Sequence, residues 1–403
     1  MISREDAPPS EVRGFLLELA DALHGASVPT PDIEDRVHAA SRALGVSLDA
    51  FVLPSAVFLS EGPPTLRRID FESHWNLRRM EALRALCDAL VQGRLDLAGA
   101  RAELARIMAQ PWRFSRPRVV LAYGVYSVAV TARVGGGWRE IAAGVLVGLL
   151  AGLIHVGAAV NRPVDLLKSF VAALAGGLAT YALALALPPF DFALSLFGGV
   201  ALLVPAMLLT IGTWEMADGG VEAGLIRLAY AMLRFLLIGV GLAVATNVAR
   251  LFPHIAARAA APLPWPVVTL LVAMGGVVLT MCLQGRARDA PWTAAGALLA
   301  FGVHAVTKAV LGGDGSPLLA SLILGLGGAL AYRAWGQALG TVVVPGLLQL
   351  APGFIGTKAV LRLLRGAQSG ELATFFQVVT TSLELTIGLM LALVIVRPRG
   401  ARL

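Results

Sequence analysis

The sequence predicts a mainly α-helical, polytopic membrane protein with a small soluble α+β domain at its N-terminus. Three observations lead to this fold class. Of the 403 residues, 57% are hydrophobic and only 15% are charged, whereas soluble domains contain about 25% charged residues. Much of the charge lies in the first 118 residues. From residue 119 to residue 396, apolar runs follow one another, and several reach the ~20 residues that cross a bilayer.

The N-terminal domain, residues 1–117, is called the head. Residues 48–71 contain alternating apolar stretches separated by turn residues, which predict three short strands. Four stretches have helical spacing with helix start or stop signals: 11–26, 30–45, 76–93 and 96–110. The head is therefore predicted to be an α+β unit with two helices on each side of a short sheet.

About ten membrane spans are predicted after the head. They cover residues 118–134, 140–160, 165–187, 192–213, 227–250, 266–284, 292–311, 317–333, 337–355 and 374–396. These spans divide the chain into a five-helix membrane repeat (118–250), a linker (251–265), a second five-helix repeat (266–396) and a cytoplasmic tail (397–403).

Three short matches in the same order support the division into five plus five spans. They are "WREIAAG" with "WTAAG", "LAGGLATY" with "LGGALAY", and "LLVPAM" with "VVVPGL". Five crossings bring the chain to the other side of the membrane, so the second copy would be inverted, as in many secondary transporters.

The third match pairs Pro205 with Pro345. A proline removes a backbone donor and clashes with the preceding turn. We therefore expect spans four and nine to be interrupted or sharply bent near these residues, close together at mid-membrane, where the freed backbone groups lie inside protein or against a water-filled cavity. An ordinary proline kink is the alternative for either residue alone.

Several longer segments resemble one family in their order along the chain. They are "LADALHGASVPTPDIEDRVHAASRALGV", "FVLPSAVFLS", "NLRRMEALRALCDALVQGRLDLAGARAELARI", "GGGWREIAAGVLVGLLAGLI", "LVPAMLLTIGTWEMADGGVEAGLIRL" and "VVPGLLQLAPG". This order resembles the threonine/serine exporter family of bacterial and fungal membrane proteins. The resemblance implies a cytoplasmic head, ten spans and proton-driven export of threonine and serine.

Glu384 is the most costly residue of the membrane part because it lies about ten residues into the tenth span. An acid at the bilayer centre costs about 3 kcal/mol, and such acids line polar paths or proton relays. Two roles stay open: a proton carrier, or a static ion pair with Arg234 of the fifth span. Thr380 and Thr381 either pack between helices or line a path for a hydroxy amino acid.

Glu215 and Asp218 follow the first proline on the side of the head. Their default interpretation is a solvated loop, and the resemblance implies that Glu215 attracts the ammonium group of a substrate. Gln349, one turn after Pro345, completes the predicted set of substrate and proton path residues.

The head has no nucleophile elbow, no glycine-rich phosphate loop and no metal-ligand spacing. The sequence therefore predicts no enzyme, no cofactor and no metal. The net charge of +7 is assigned to arginines that orient the spans, and not to nucleic-acid binding.

The leading functional hypothesis is a proton-coupled secondary transporter that exports small amino acids. A membrane-anchored hydrolase with a catalytic head, and a membrane sensor or scaffold, are the alternatives. The predicted partners are a small amino acid, protons and the lipid bilayer, and a homo-oligomer is left open. The distribution of arginines predicts a multi-pass protein of the plasma (inner) membrane with both termini in the cytoplasm.

Overall fold

The computed structural model describes residues 8–60, 65–69, 76–158, 162–251, 259–311, 315–350 and 371–396. The elements of the head are α1 (Pro9–Gly25), α2 (Thr30–Ala43), β1 (Asp49–Leu53), β2 (Ala56–Ser60), β3 (Thr65–Arg68), α3 (Leu77–Val91) and α4 (Leu97–Met108). The elements of the membrane part are α5 (Arg116–Arg133), α6 (Trp138–Ala158), α7 (Arg162–Ala186), α8 (Phe192–Val200), α9 (Ala206–Ala217), α10 (Val221–Ala249), α11 (Trp265–Cys282), α12 (Ala290–Leu311), α13 (Ser316–Trp335), α14 (Leu339–Leu350) and α15 (Glu371–Val396).

The head contains every element that its sequence signals predict. Its three strands form an antiparallel meander in the order β1-β2-β3. Helix α3 begins where the Asn76 side chain accepts a hydrogen bond from the Arg79 N–H, and α4 begins where Asp96 accepts one from Gly99. These are side-chain caps of the kind that polar residues form at helix N-termini.

The arrangement of the head helices corrects one prediction, because they do not flank the sheet on both sides. Helices α1 and α2 pack on the strands, while α3 and α4 pack on those two helices. Buried strand residues such as Val57 and Leu59 supply one apolar face, whereas Phe51 and Leu66 are exposed. In an antiparallel sheet, covering one face is enough to bury the apolar side chains that alternate along each strand.

Seven helices in the described residues are long and apolar enough to cross a membrane: α6, α7, α10, α11, α12, α13 and α15. Helices α8 and α9 pass the same test together as a pair bent by 53°, which gives up to eight spans. The first predicted span is helix α5, whose three arginines exclude it from this set. The ninth predicted span is described only as the 12 residues of α14.

The bend between α8 and α9 lies at Pro205, as the sequence predicts. The predicted interruption at Pro345 is wrong, since this proline lies inside α14, which continues to Leu350. A proline removes a single backbone hydrogen bond. Helix α14 packs on both α12 and α13, and this packing holds the helix together across the missing bond.

Two groups of membrane helices pack in the same pattern. Helix α5 packs on α6, α6 on α7 and α8, and α7 on α10. In the second group α11 packs on α12, α12 on α13 and α14, and α13 on α15.

Close contacts at glycine show which residues of the two groups of helices are in equivalent positions. A Cβ added at Gly241 would lie 2.6 Å from the carbonyl oxygen of Phe170, and one at Gly388 would collide with the carbonyl oxygen of Leu318. Helices α10 and α7 therefore meet in the same way as α15 and α13. If Gly241 of α10 is matched with Gly388 of α15, the position on α15 that corresponds to Arg234 is Thr381.

The same comparison can be made for α8 and α14. A Cβ at Gly144 would approach the carbonyl oxygen of Ser195, and one at Gly296 would collide with the carbonyl oxygen of Val342. Ser195 therefore corresponds to Val342. In this register the counterpart of Pro205 is Pro352, which lies outside the described residues, and the match of "LLVPAM" with "VVVPGL" is out of register.

These contacts predict that Gly296→Ala destabilises the membrane part. The added methyl group would collide with the backbone of Val342 on α14, and overpacking of this kind costs about 1–3 kcal/mol. Thermal unfolding of the purified full chain in detergent measures the loss. Gly302→Ala on the same helix is the control, because its Cβ meets no atom within 4 Å. Equal melting temperatures of the two variants would contradict this packing.

Candidate functional site

The bend at Pro205 lies inside the protein. Leu203 and Ala206, on either side of it, are buried. The backbone groups freed at the bend find local partners: the Ala206 N–H donates to the Val204 carbonyl at 2.8 Å, and the Ser169 hydroxyl donates to the Leu203 carbonyl at 3.5 Å. An interrupted helix at membrane depth requires such burial in protein or a water-filled cavity.

A seam of hydroxyl groups joins α9 to α15. The Thr213 and Thr386 hydroxyl oxygens are 2.5 Å apart, and the Thr386 hydroxyl also lies 3.5 Å from the Thr210 carbonyl oxygen. The Thr213 hydroxyl lies 3.4 Å from the Ser382 carbonyl oxygen. All four residues are buried, so this seam is a polar layer between the first and second groups of helices.

The predicted hydroxyl residues lie only partly in this seam. Thr381 is 9% exposed, whereas Thr380 is exposed and donates to the Gln377 carbonyl of its own helix. Thr213 and Thr386 of this seam are not among the predicted site residues. Their signal is present in the sequence, since two threonines three residues apart on α9 face a serine and a threonine four residues apart on α15.

A small cavity of about 40 Å³ lies between α9, α14 and the head. Its walls are mostly apolar, and they are formed by Met207, Thr210, Ile211 and Trp214 of α9, by Gly340, Val344 and Leu347 of α14, and by Ser27, Pro29 and Met80 of the head. A water molecule needs at least about 10–15 Å³ of such volume. The cavity is therefore too small for an amino acid in this conformation.

Glu215, at the end of α9, is fully buried. Its Oε1 accepts hydrogen bonds from the Thr30 N–H at 2.8 Å and the Thr30 hydroxyl at 3.1 Å. Its Oε2 accepts one from Arg227 Nε of α10 at 2.7 Å. Because Thr30 is the first residue of α2, the carboxylate lies at the positive end of that helix.

Glu215 is thus neither in a solvated loop nor placed at an open substrate path. It caps a helix of the head that has no side-chain cap of its own. Neither Thr30 nor Arg227 was predicted as a partner of Glu215. Asp218, three residues further on, is exposed and agrees with the loop interpretation.

A second contact joins the head to the other group of helices. Glu81 of α3 accepts a hydrogen bond from the Thr341 hydroxyl of α14 at 3.1 Å and pairs with Arg286 at 3.1 Å. The Leu77 N–H donates to the Leu283 carbonyl at the end of α11 at 2.9 Å. The head therefore bridges both groups of helices and covers the cavity between α9 and α14.

The structure does not bring Arg234 and Glu384 together. Among the described ion pairs none joins these two residues, and α9 packs between their helices. Arg234 lies within electrostatic range of Asp165, whereas the Glu384 carbonyl accepts from the Ser321 hydroxyl of α13 at 3.4 Å. The described ion pairs therefore do not include the static pair of Arg234 with Glu384.

Gln349 is 1% exposed, and neither polar atom of its side chain has a hydrogen-bond partner in the described part of the chain. A buried amide without partners costs free energy, so Gln349 places an unsatisfied polar group inside the protein near the end of α14.

The described residues contain no group of three or more histidine, cysteine, aspartate and glutamate side chains that could hold a metal ion.

Comparison with known families agrees with the predicted resemblance. The family model described as "Putative threonine/serine exporter" matches residues 14–249. The chain belongs to this family. The match to the threonine/serine exporter family covers the head and the helices up to α10, including the bend at Pro205 and the Glu215 contact.

Curated relatives are fungal proteins of low identity. An uncharacterized protein of Schizosaccharomyces pombe is 23% identical over 57% of the chain and 29% of its own length. The pheromone-regulated membrane protein 10 of Eremothecium gossypii is 22% identical over 86% of the chain and 49% of its own length. The chain spans less than half the length of these relatives. No solved structure matches it at a significant level.

The buried carboxylate predicts that Glu215→Ala strongly destabilises the protein. The variant leaves the buried Arg227 guanidinium without its carboxylate and removes the acceptor of Thr30. Breaking a buried pair by removing one partner costs about 3–5 kcal/mol. Thermal unfolding of the full chain in detergent measures the loss. The control Asp218→Ala, at the same helix end but exposed, should change stability by less than about 0.5 kcal/mol.

A second variant separates ion pairing from simple packing at this site. Glu215→Leu combined with Arg227→Leu removes both charges, and replacing a whole buried pair by apolar residues is often neutral. We expect the double variant to be more stable than Glu215→Leu alone. A double variant that is less stable than the single variant would contradict the ion-pair interpretation.

His24 of α1 predicts a loss of stability in mild acid. Burial, together with the positive charge of Arg227, lowers the pKa of His24 from 6.5 to about 3. The folded head therefore keeps His24 neutral, while the unfolded chain takes up a proton below pH 6.5. The contribution of neutral His24 to the free energy of unfolding is fully present above pH 6.5. It falls by about 1.4 kcal/mol per pH unit as the pH drops from 6.5 towards 3.

The measurement is the free energy of unfolding of the wild type and of His24→Leu at pH 7.5 and pH 5. The wild type should lose about 2 kcal/mol more than the variant between these two values. An identical pH dependence of the two proteins would contradict the neutral, buried state of His24.

Proposed function

We propose that this chain is a secondary transporter that exports small amino acids, with threonine and serine as the substrates. The family supports membrane transport. The observation that carries the proposal is the bent pair α8–α9, which has a hydroxyl seam on one side and a cavity towards α14 on the other. Interrupted helices at a repeat interface are the usual substrate positions in such transporters.

The membrane part is proposed to consist of two inverted repeats of five helices each, residues 118–250 and 266–396, giving ten spans. The matching glycine contacts and packing patterns support this division. Inversion is supported by the two equivalent helices α8 and α14. Helix α14 begins at the head, where Thr341 contacts Glu81. Helix α8 begins at the opposite face, because the α9 that continues it ends at the head.

The path is proposed to run between α9 and α14, past Thr210 and the bend at Pro205. On the head side Met80 and Pro29 close it. Export then requires the head to move away from the membrane part, or to shift on it, so that the cavity opens towards the cytoplasm. Pro345 and Gln349 would contribute from the α14 side, and Asp218 from the rim.

Protons are proposed to drive export, with Glu384 as the proton carrier and Thr381 beside it on the same helix. Glu384 is half-buried within α15. Arg234 is proposed to tune the polar region on α10 through Asp165, and not to pair with Glu384.

The head side is proposed to be cytoplasmic, with both termini inside and the protein in the plasma (inner) membrane. Arg286 and Arg333 lie on this side, near Glu81 of the head and at the end of α15 respectively. A surplus of arginine on the cytoplasmic side is the usual orientation signal.

Counterflow in proteoliposomes tests the proposed function. Liposomes that contain the purified full chain and unlabelled threonine should accumulate labelled threonine or serine from outside. Labelled leucine is the control substrate, since its apolar side chain cannot form hydrogen bonds with a hydroxyl seam. Absence of threonine and serine counterflow in vesicles that contain folded protein would refute the proposed substrates.

The proton role predicts different effects on exchange and on driven export. Glu384→Gln keeps the shape and hydrogen bonding of the side chain but cannot carry a proton. We expect this variant to keep threonine counterflow and to lose export driven by a pH gradient. Glu222→Gln, an exposed acid at the start of α10, is the control. Full gradient-driven export by Glu384→Gln would contradict the proton role.

A further inference from the structure

Four arginines surround one open cleft at the junction of the head and the membrane part. They are Arg78 of α3, Arg113 of the segment between α4 and α5, and Arg286 and Arg288 of the segment between α11 and α12. The cleft has a volume of about 360 Å³ and is open to the surroundings. It is separate from the cavity between α9 and α14.

The cleft carries an excess of positive charge. Arg286 pairs with Glu81 at 3.1 Å, and Arg288 approaches Asp289 at 3.9 Å. In the described part of the chain, no ion pair joins Arg78 or Arg113 to an acid. Four guanidinium groups around two acids repel one another, so an anion in the cleft would relieve this repulsion.

Exposed tryptophans near the cleft indicate its position relative to the bilayer. Trp112 precedes Arg113, is 38% exposed, and has its ring 6.3 Å from that of His155 near the end of α6. Trp292 and Trp335 have ring centroids 5.3 Å apart, and Trp335 is 62% exposed. Exposed tryptophans at the ends of apolar helices typically lie at the headgroup level. The arginines therefore lie where phospholipid headgroups would be.

We propose that this arginine cleft binds the phosphate of an anionic phospholipid headgroup. Guanidinium groups bind phosphate oxygens through paired N–H donors. Basic pockets on the cytoplasmic side of membrane proteins bind anionic headgroups in this way. Free phosphate carries the same chemistry and is the other source of the ligand.

A bound headgroup would also act on the position of the head. Arg78 and Arg113 belong to the head and its connection to α5, whereas Arg286 and Arg288 belong to the membrane part. A phosphate held by both pairs links the two parts beside the contact of Arg286 with Glu81. The lipid thereby stabilises the docked head, independently of the substrate that the protein transports.

The test uses the purified full chain and the double variant Arg78→Gln/Arg113→Gln, which leaves both acids of the cleft with their arginines. The matched control is Arg42→Gln/Arg94→Gln, which removes the same charge from exposed positions near the ends of α2 and α3 that do not line the cleft. Native mass spectrometry measures retained phosphatidylglycerol against phosphatidylcholine, and thermal unfolding measures the stabilisation by each lipid.

We expect phosphatidylglycerol, but not phosphatidylcholine, to be retained by the wild type and the control and to raise their melting temperature. Each arginine near an anionic lipid contributes about fivefold in affinity, so the cleft variant should bind about 25-fold more weakly. In a third arm, stabilisation of the wild type but not the cleft variant by inorganic phosphate alone would identify free phosphate as the source. Equal phosphatidylglycerol binding by the cleft variant and the control would overturn the proposal.

Discussion

The close approach of helix backbones at glycine is the constraint on which the membrane part depends. Gly241 and Gly388 have no side chain at the points of closest approach, so α10 packs closely on α7 and α15 packs closely on α13. In a bilayer, helix association relies on such packing because lipid tails are as apolar as leucine. Two matching groups of helices follow from these contacts, and α9 and α14 meet between them.

The head completes this arrangement through two buried or partly buried carboxylates. Glu215 accepts hydrogen bonds from Thr30 at the N-terminus of α2 and from the guanidinium of Arg227. Glu81 accepts a hydrogen bond from Thr341 and pairs with Arg286. Each carboxylate ties the head to a different group of helices. A domain held at both points covers the cavity between α9 and α14 on that side, and we propose that its docking controls whether the cavity is open there.

The sequence predicts most elements of the fold because their signals are local. Caps such as Asn76 and Asp96, turn residues and apolar runs define where helices and strands begin and end. The relation between the two groups of membrane helices could not be read in the same way, because short matches of leucine, valine and proline can be aligned in more than one register. Only contacts between helices fix the register, and they oppose the pairings of Pro205 with Pro345 and of Arg234 with Glu384. The contact of Glu215 with Thr30 was also out of reach, since Thr30 is 185 residues away along the chain.

Cross-linking the head to α14 tests whether the docked head closes the proposed path. A Cβ added at Gly340 would lie 2.8 Å from the Met80 Cε across the junction. Cysteines at both positions can therefore be joined by a short, cleavable bifunctional thiol reagent in a chain whose Cys87 and Cys282 are replaced by alanine. Threonine counterflow is measured before cross-linking, after it and after cleavage, with each single-cysteine chain as a control. We expect the cross-linked protein to stop exchanging threonine and to recover this activity on cleavage. Undiminished counterflow by fully cross-linked protein would contradict this closure.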